Sequence, residues 1–129
     1  MIRVHIQDAI NKKNALTGPI CEKIFSSVWK KEAEITVRIT TASESQELNR
    51  HYRNQNKPTN ILSFNIESNR SLIGDLVLCH DIVKKEAKEQ NKKIKDHYIH
   101  LVLHGFLHLM GHDHINEKDQ LKMEKIEIK

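Results

Sequence analysis

An α+β domain, a small mixed sheet packed with helices, is the architecture that three features of the 129-residue chain predict. Short stretches such as residues 34–40 alternate apolar and polar side chains, which is the period of a half-buried strand. Other stretches repeat apolar residues every three or four positions, above all between residues 99 and 110, which is the period of a helix. The two kinds of segment are interspersed, with no internal repeat, no low-complexity run and no Gly/Ser linker, so residues 1–129 are expected to form one domain.

The elements follow in order. Residues 1–7 alternate, as a first strand should, and lack the basic-then-apolar layout of a secretory leader. Pro19 suits the first turn of a helix, and Ile20, Ile24 and Val28 give it an apolar stripe ending near Lys31. After the strand at 34–40, Ser43 with Gln46 three residues on suggests a capping box for a short helix through Leu48 to Tyr52. Residues 54–60 are polar, contain Pro58 and read as a loop into the apolar strand 61–66. A turn is expected from Ser68 to Arg70, then a strand at 74–79. Asp81 is the expected N-cap of a Lys/Glu-rich helix reaching about Lys93. Asp96 then caps a long central helix whose apolar face is Ile99, Val102, Leu103, Phe106, Leu107 and Met110. Leu121, Glu124 and Ile128 suggest one more helical piece.

Composition narrows the function classes. The chain is 38% hydrophobic and 29% charged, and no apolar run approaches the roughly 20 residues of a membrane span, so a soluble protein away from membranes is expected. Cys21 and Cys79 stand far apart and form neither a disulfide framework nor a paired-cysteine metal motif, which suits a reducing cytoplasm. The formal charge of +4 is compatible with a polyanionic partner without requiring one. Only six Phe, Tyr and Trp residues are present and no aromatic-interleaved RNA-recognition motif is seen, so a base-stacking platform is not expected.

Histidine is the informative residue. Of nine in the chain, His97, His100, His104, His108, His112 and His114 fall within 18 residues. His104 and His108, four apart on a helix, stack on one face with both rings able to reach one ion. Gly111 is the natural residue to end the helix in a left-handed conformation and turn the chain so that His114 arrives at the same point. Three neutral imidazoles suit a single zinc ion and leave a coordination position for water. A lone histidine is more often a packed core or surface group, but that reading must explain the helical pair, the glycine and the third histidine together. His112 has no counterpart in the ligand pattern. The spacing has the geometry of the metzincin peptidases, yet Gly105 stands where those enzymes carry their general-base Glu, which argues against peptide hydrolysis.

The run His104-Gly105-Phe106-Leu107-His108-Leu109-Met110-Gly111-His112-Asp113-His114 resembles the hallmark of the YbeY family of bacterial rRNA-maturation endoribonucleases. Leu48-Asn49, Tyr52-Arg53, Lys57-Pro58-Thr59-Asn60-Ile61-Leu62-Ser63-Phe64 and Gly74-Asp75-Leu76 resemble that family's other motifs in the same order. His112 departs from the family, which usually has Tyr there. The resemblance implies one Zn2+ on His104, His108 and His114, with Arg53 and His114 required for catalysis. It implies metal-dependent cleavage of single-stranded RNA, 3′-end maturation of 16S rRNA, a part in ribosome quality control, and the small ribosomal subunit and ribosome-assembly proteins as partners. Arg53 is expected to meet charge developing on phosphate oxygens, with water or the ribose 2′-OH as nucleophile.

Other candidates carry less. Asp113 can orient an imidazole or stabilise a turn, His100 can approach the cleft or pack in the core, and Asp75 can support a ligand histidine or end a turn. Ser63 has no base beside it in sequence. Arg50, Arg53 and Lys57 are available to phosphates, whereas Lys84, Lys85, Lys88, Lys92, Lys93 and Lys95 read as a solvated face. Two further functions fit the same residues: a non-catalytic ribosome-assembly factor with a structural zinc, and a zinc hydrolase of a small phosphoester or amide.

Overall fold

The computed structural model of the chain describes residues 1–10, 16–66 and 71–113. They form β1 (Ile2–Asp8), α1 (Gly18–Ser26), β2 (Ala33–Thr40), α2 (Ala42–Arg53), β3 (Ile61–Ile66), β4 (Leu72–Cys79), α3 (His80–Glu89) and α4 (Ile94–Asp113). The sheet order is β1-β2-β4-β3. β1 pairs parallel with β2 and β2 parallel with β4, while β3 runs antiparallel to β4 at the edge. This is the mixed sheet with helices that the element order predicted.

Strand alternation sorts the side chains between the two faces. Ala33, Ile35, Val37 and Ile39 of β2 and Leu72, Leu76 and Leu78 of β4 are buried in one cluster with Phe25 of α1 and Phe106 of α4. The two phenyl rings stack with centroids 4.3 Å apart. Burying this apolar set is the main stabilisation of the fold. The opposite face carries Arg38, Asp75 and Val77 and is met by α2.

The details of each helix differ from the expectation where local signals compete. Thr41, not Ser43, caps α2: its side chain accepts from the Glu44 amide at 3.2 Å. The Thr41-x-x-Glu44 pair lies two residues earlier than the pair read from sequence, because the helix starts directly at the end of β2. In α1, Thr17 is the cap and Pro19 sits in the first turn. Its buried residues are Cys21 and Phe25, and Val28 is exposed because the helix has already ended at Ser26. Asp81 and Asp96 lie inside the first turns of α3 and α4 instead of capping them. α3 stops at Glu89, and Asn91 takes the left-handed φ of 57° that turns the chain into α4.

α4 is the element that positions the site. It is apolar on most of its circumference, so periodicity alone did not choose its inner face. The structure buries Tyr98, Leu101, Val102, Phe106 and Leu109, while Ile99 and Met110 flank the core. Gly111 does not end the helix: it is buried within α4, which continues to Asp113, and no glycine among the described residues has positive φ. Glycine permits a left-handed turn but does not impose one, and here intrahelical hydrogen bonding continues past it. His114, the expected turn at 68–70 and the helical piece around Leu121, Glu124 and Ile128 lie outside the described residues.

Candidate active site

Two glycines let α4 lie unusually close to the sheet. A Cβ at Gly105 would stand 2.8 Å from Ile61 Cδ1 and from Leu76 Cδ2, and 3.1 Å from Ser63 Oγ. A Cβ at Gly74 would stand 2.8 Å from a Leu109 methyl and 2.9 Å from the Phe64 carbonyl oxygen. The position after His104 therefore faces the sheet, and its lack of a side chain is what the packing requires. With Gly105 seated on β3 and β4, the neighbouring helix positions His104 and His108 come to the edge strand.

His104 and His108 are half-buried, with ring centroids 5.2 Å apart. His100 continues the row one turn earlier, 6.3 Å from His104, and His97 lies 6.2 Å beyond it. Burial, and then the repulsion that a protonated His100 would exert on a protonated His104, holds His104 below the ordinary imidazole value of 6.5. Burial, Lys92 and His97 do the same for exposed His100. His104 and His100 are therefore neutral at pH 7, the form in which an imidazole nitrogen offers a lone pair.

Arg53 arrives from the far end of α2. Asn54 takes φ 55° and closes that helix. The following loop is folded back by Asn49 Nδ2 donating to the Lys57 carbonyl at 2.9 Å, and by Ser45 Oγ bonding both the amide and the carbonyl of Thr59 at 3.0 Å. Arg53 Nη2 donates to the Ser63 carbonyl oxygen on the outer edge of β3 at 3.2 Å. Arg53, Asn60, Ile61, Ser63, His104 and His108 thereby line one cleft of about 120 Å³.

A polar chain behind this cleft was not foreseen. Asn60 accepts from the Ile61 amide at 2.7 Å and donates to Glu86 of α3 at 3.1 Å. Glu86 in turn bonds His97 Nε2 at 2.9 Å. His97 is 2% exposed, and its Nδ1 is buried with no hydrogen-bond partner among the described residues. His97 belonged to the histidine row and Asn60 to a quoted motif, but Glu86 is interspersed among the lysines of a helix whose sequence reads mainly as a solvated face. Nothing local links residues 60, 86 and 97.

Other expected positions are sorted by the fold. Asp75 is on the opposite face of β4 from Gly74 and Leu76, because successive strand residues alternate, so it does not support a ligand histidine from the α4 side. It lines a larger cavity of about 800 Å³, with Tyr52, Phe64 and Arg53. Ser63 Oγ is turned to the Gly105 carbonyl at 3.4 Å, consistent with packing. Among the described residues no three His, Cys, Asp or Glu groups converge where an ion could sit. The side chains of His112 and Asp113, like all of His114, lie outside the described set.

Fold and cleft together define an α+β domain whose helix-borne histidine pair and one arginine meet at the edge of a mixed sheet. The chain belongs to the YbeY endoribonuclease family: the family profile described as Endoribonuclease YbeY matches residues 5–129. It is 48% identical over 107 residues to the Endoribonuclease YbeY of Colwellia psychrerythraea, an alignment covering 80% of this chain and 69% of that protein. It is 40% identical over 124 residues to the Endoribonuclease YbeY of Nitrosomonas eutropha, covering 96% and 88%. The solution structure of TM1509 from Thermotoga maritima shares the fold, with a TM-score of 0.56 at 23% identity over 97% of this chain and 85% of that one.

Proposed function

We infer that the protein is a zinc-dependent endoribonuclease that cuts single-stranded RNA. The observation that carries this reading is the meeting of His104, His108 and Arg53 in one cleft of a chain whose family is named for endoribonuclease activity. The donor set fits the metal: two imidazoles one helical turn apart, half-buried, with His104 held neutral, are nitrogen ligands of the kind zinc takes. We assign His104, His108 and His114 as its ligands, for one Zn2+ per chain. When bound, zinc supplies Lewis-acid activation of water and of a phosphoryl oxygen.

The chain's own residues do the rest. Among the described residues Arg53 is anchored by one hydrogen bond, to the Ser63 carbonyl, and a guanidinium carries five donors, so it retains N–H groups for phosphate oxygens. Those donors meet charge that grows as the phosphodiester is attacked, and they are worth most in a cleft that excludes bulk water. Asn60, tied to Glu86, holds the start of β3 and hence the wall against which the histidines pack. Arg50 and Lys57 are exposed near the cleft and can contact flanking phosphates.

By the same reading the natural substrate is ribosomal RNA at the 3′ end of 16S rRNA, with the small ribosomal subunit and ribosome-assembly proteins as partners, in ribosome quality control in the cytoplasm. No helix among the described residues is long and apolar enough to cross a membrane. The test is cleavage of a labelled RNA carrying one single-stranded and one duplex segment by rigorously purified protein, with and without a chelator. Cuts confined to the unpaired segment and abolished by chelation support the reading. Chelator-independent cleavage, or none with metal restored, refutes it.

A further inference from the structure

We propose that the larger cavity, on the α2 side of β3, binds one unpaired nucleobase next to the phosphate held at Arg53, and that Asp75 makes it prefer guanine. This rests on the RNA-cleaving reading and adds to it the group that is recognised.

Arg53 and Ser63 line both the histidine cleft and this cavity, so the two adjoin at β3. A strand with a phosphate at Arg53 has its adjacent base on one side or the other of β3. The cavity of about 800 Å³ lies within the size range of small-ligand sites, far beyond what a phosphate oxygen needs. Its walls suit a flat aromatic ligand. Tyr52 is 60% exposed, yet it is held edge-on by Phe64 at 5.1 Å and by His51 at 4.6 Å. A phenol ring steadied in this way leaves a face for stacking, which any base can use.

The polar groups select among bases. Arg38 and Glu44 face each other with two hydrogen bonds, at 2.6 and 2.8 Å, and neutralise one another. Asp75 has no ion-pair partner among the described residues. A carboxylate only accepts hydrogen bonds, and it does so with two oxygens side by side. Guanine offers two adjacent donors, N1–H and N2–H, on its pairing edge; the other bases offer fewer there. In a duplex that edge is occupied, so only an unpaired base can enter, which gives single-strand selectivity a physical origin.

The experiment measures binding of labelled UUGUU and UUUUU pentamers by fluorescence anisotropy in EDTA, with wild type, Asp75→Asn and Tyr52→Ala, and cleavage of the same RNAs with zinc. Wild type is expected to bind the guanine pentamer about tenfold more tightly, Asp75→Asn to lose that preference while keeping its UUUUU affinity, and Tyr52→Ala to weaken both by about tenfold. Both substituted side chains border solvent, and melting curves check that the variants remain folded. Equal wild-type affinities, or a preference unchanged in Asp75→Asn, overturn the proposal and leave the face to a protein partner. Cleavage without base preference defeats the subsite and spares the nuclease reading. Guanine-selective binding without cleavage does the reverse.

Discussion

Arg53 donates to the main-chain carbonyl of Ser63 at 3.2 Å, and this one bond brings the end of α2 to the edge strand opposite the histidine pair. A lysine can reach a carbonyl but cannot present a planar fork of donors. Arg53→Ala is expected to lower kcat/KM on a single-stranded RNA by about 10²–10³-fold, the usual effect of removing one transition-state donor, and Arg53→Lys to recover only a small part. Full activity in Arg53→Ala would remove it from the chemistry.

Packing at the two glycines predicts an order of stabilities. At Gly74 a methyl group meets the fixed Phe64 carbonyl oxygen at 2.9 Å, whereas at Gly105 the close atoms are side-chain tips. Gly105→Ala also gains about 1 kcal/mol of helix propensity that offsets part of its overpacking. Urea unfolding should therefore rank Gly74→Ala as the less stable, by about 1–2 kcal/mol. The opposite ranking would mean that α4 is not seated on β3 and β4 as described.

The chain from Asn60 through Glu86 to His97 predicts coupled losses. Removing the carboxylate in Glu86→Ala leaves a buried imidazole nitrogen without its partner, at a cost of about 1–3 kcal/mol. The wall of the cleft should loosen with it. Chemical denaturation and RNA cleavage measured together are expected to fall in Glu86→Ala and to recover in part in Glu86→Gln. Unchanged stability would show that the buried contact contributes nothing.

Acid sensitivity follows from the pair on the other face. Hydrogen bonds from Arg38 hold the Glu44 carboxyl below its ordinary 4.5. A carboxyl with a lowered folded value contributes stability above its unfolded value and loses it as pH falls through the folded one. Both side chains are about one-third exposed, so the screened pair is worth only about 0.5 kcal/mol. Thermal melts of wild type and Glu44→Gln should differ slightly at pH 7 and converge below pH 4.5. A gap independent of pH would contradict the pairing.

What could be read from the sequence was what local chemistry decides. β2 was legible because one face is buried, so its side chains must alternate, and β3 because an apolar run follows a polar, proline-containing loop. The histidine pair was legible because i and i+4 share a helix face in any context. Thr41 was missed because Ser43 offers an equally good local signal and only the end of β2 decides between them. Gly111 misled because its conformational freedom is permissive, and packing settles whether it is used. For Asp75 the sequence left support of a ligand histidine and a turn role both open, because a single residue of register decides which sheet face a strand side chain takes. The Asn60, Glu86 and His97 contacts join three separate elements, and no spacing announces them.

The central claim is that His104 and His108, with His114, hold one zinc ion that RNA cleavage requires. Zinc content by mass spectrometry, measured beside RNA cleavage on wild type, His104→Ala, His108→Ala and His114→Ala, tests it most directly. One zinc per wild-type chain, and loss of both metal and cleavage in each folded variant, is the predicted result. Retained zinc in any of the three, or cleavage that persists without it, would contradict the account.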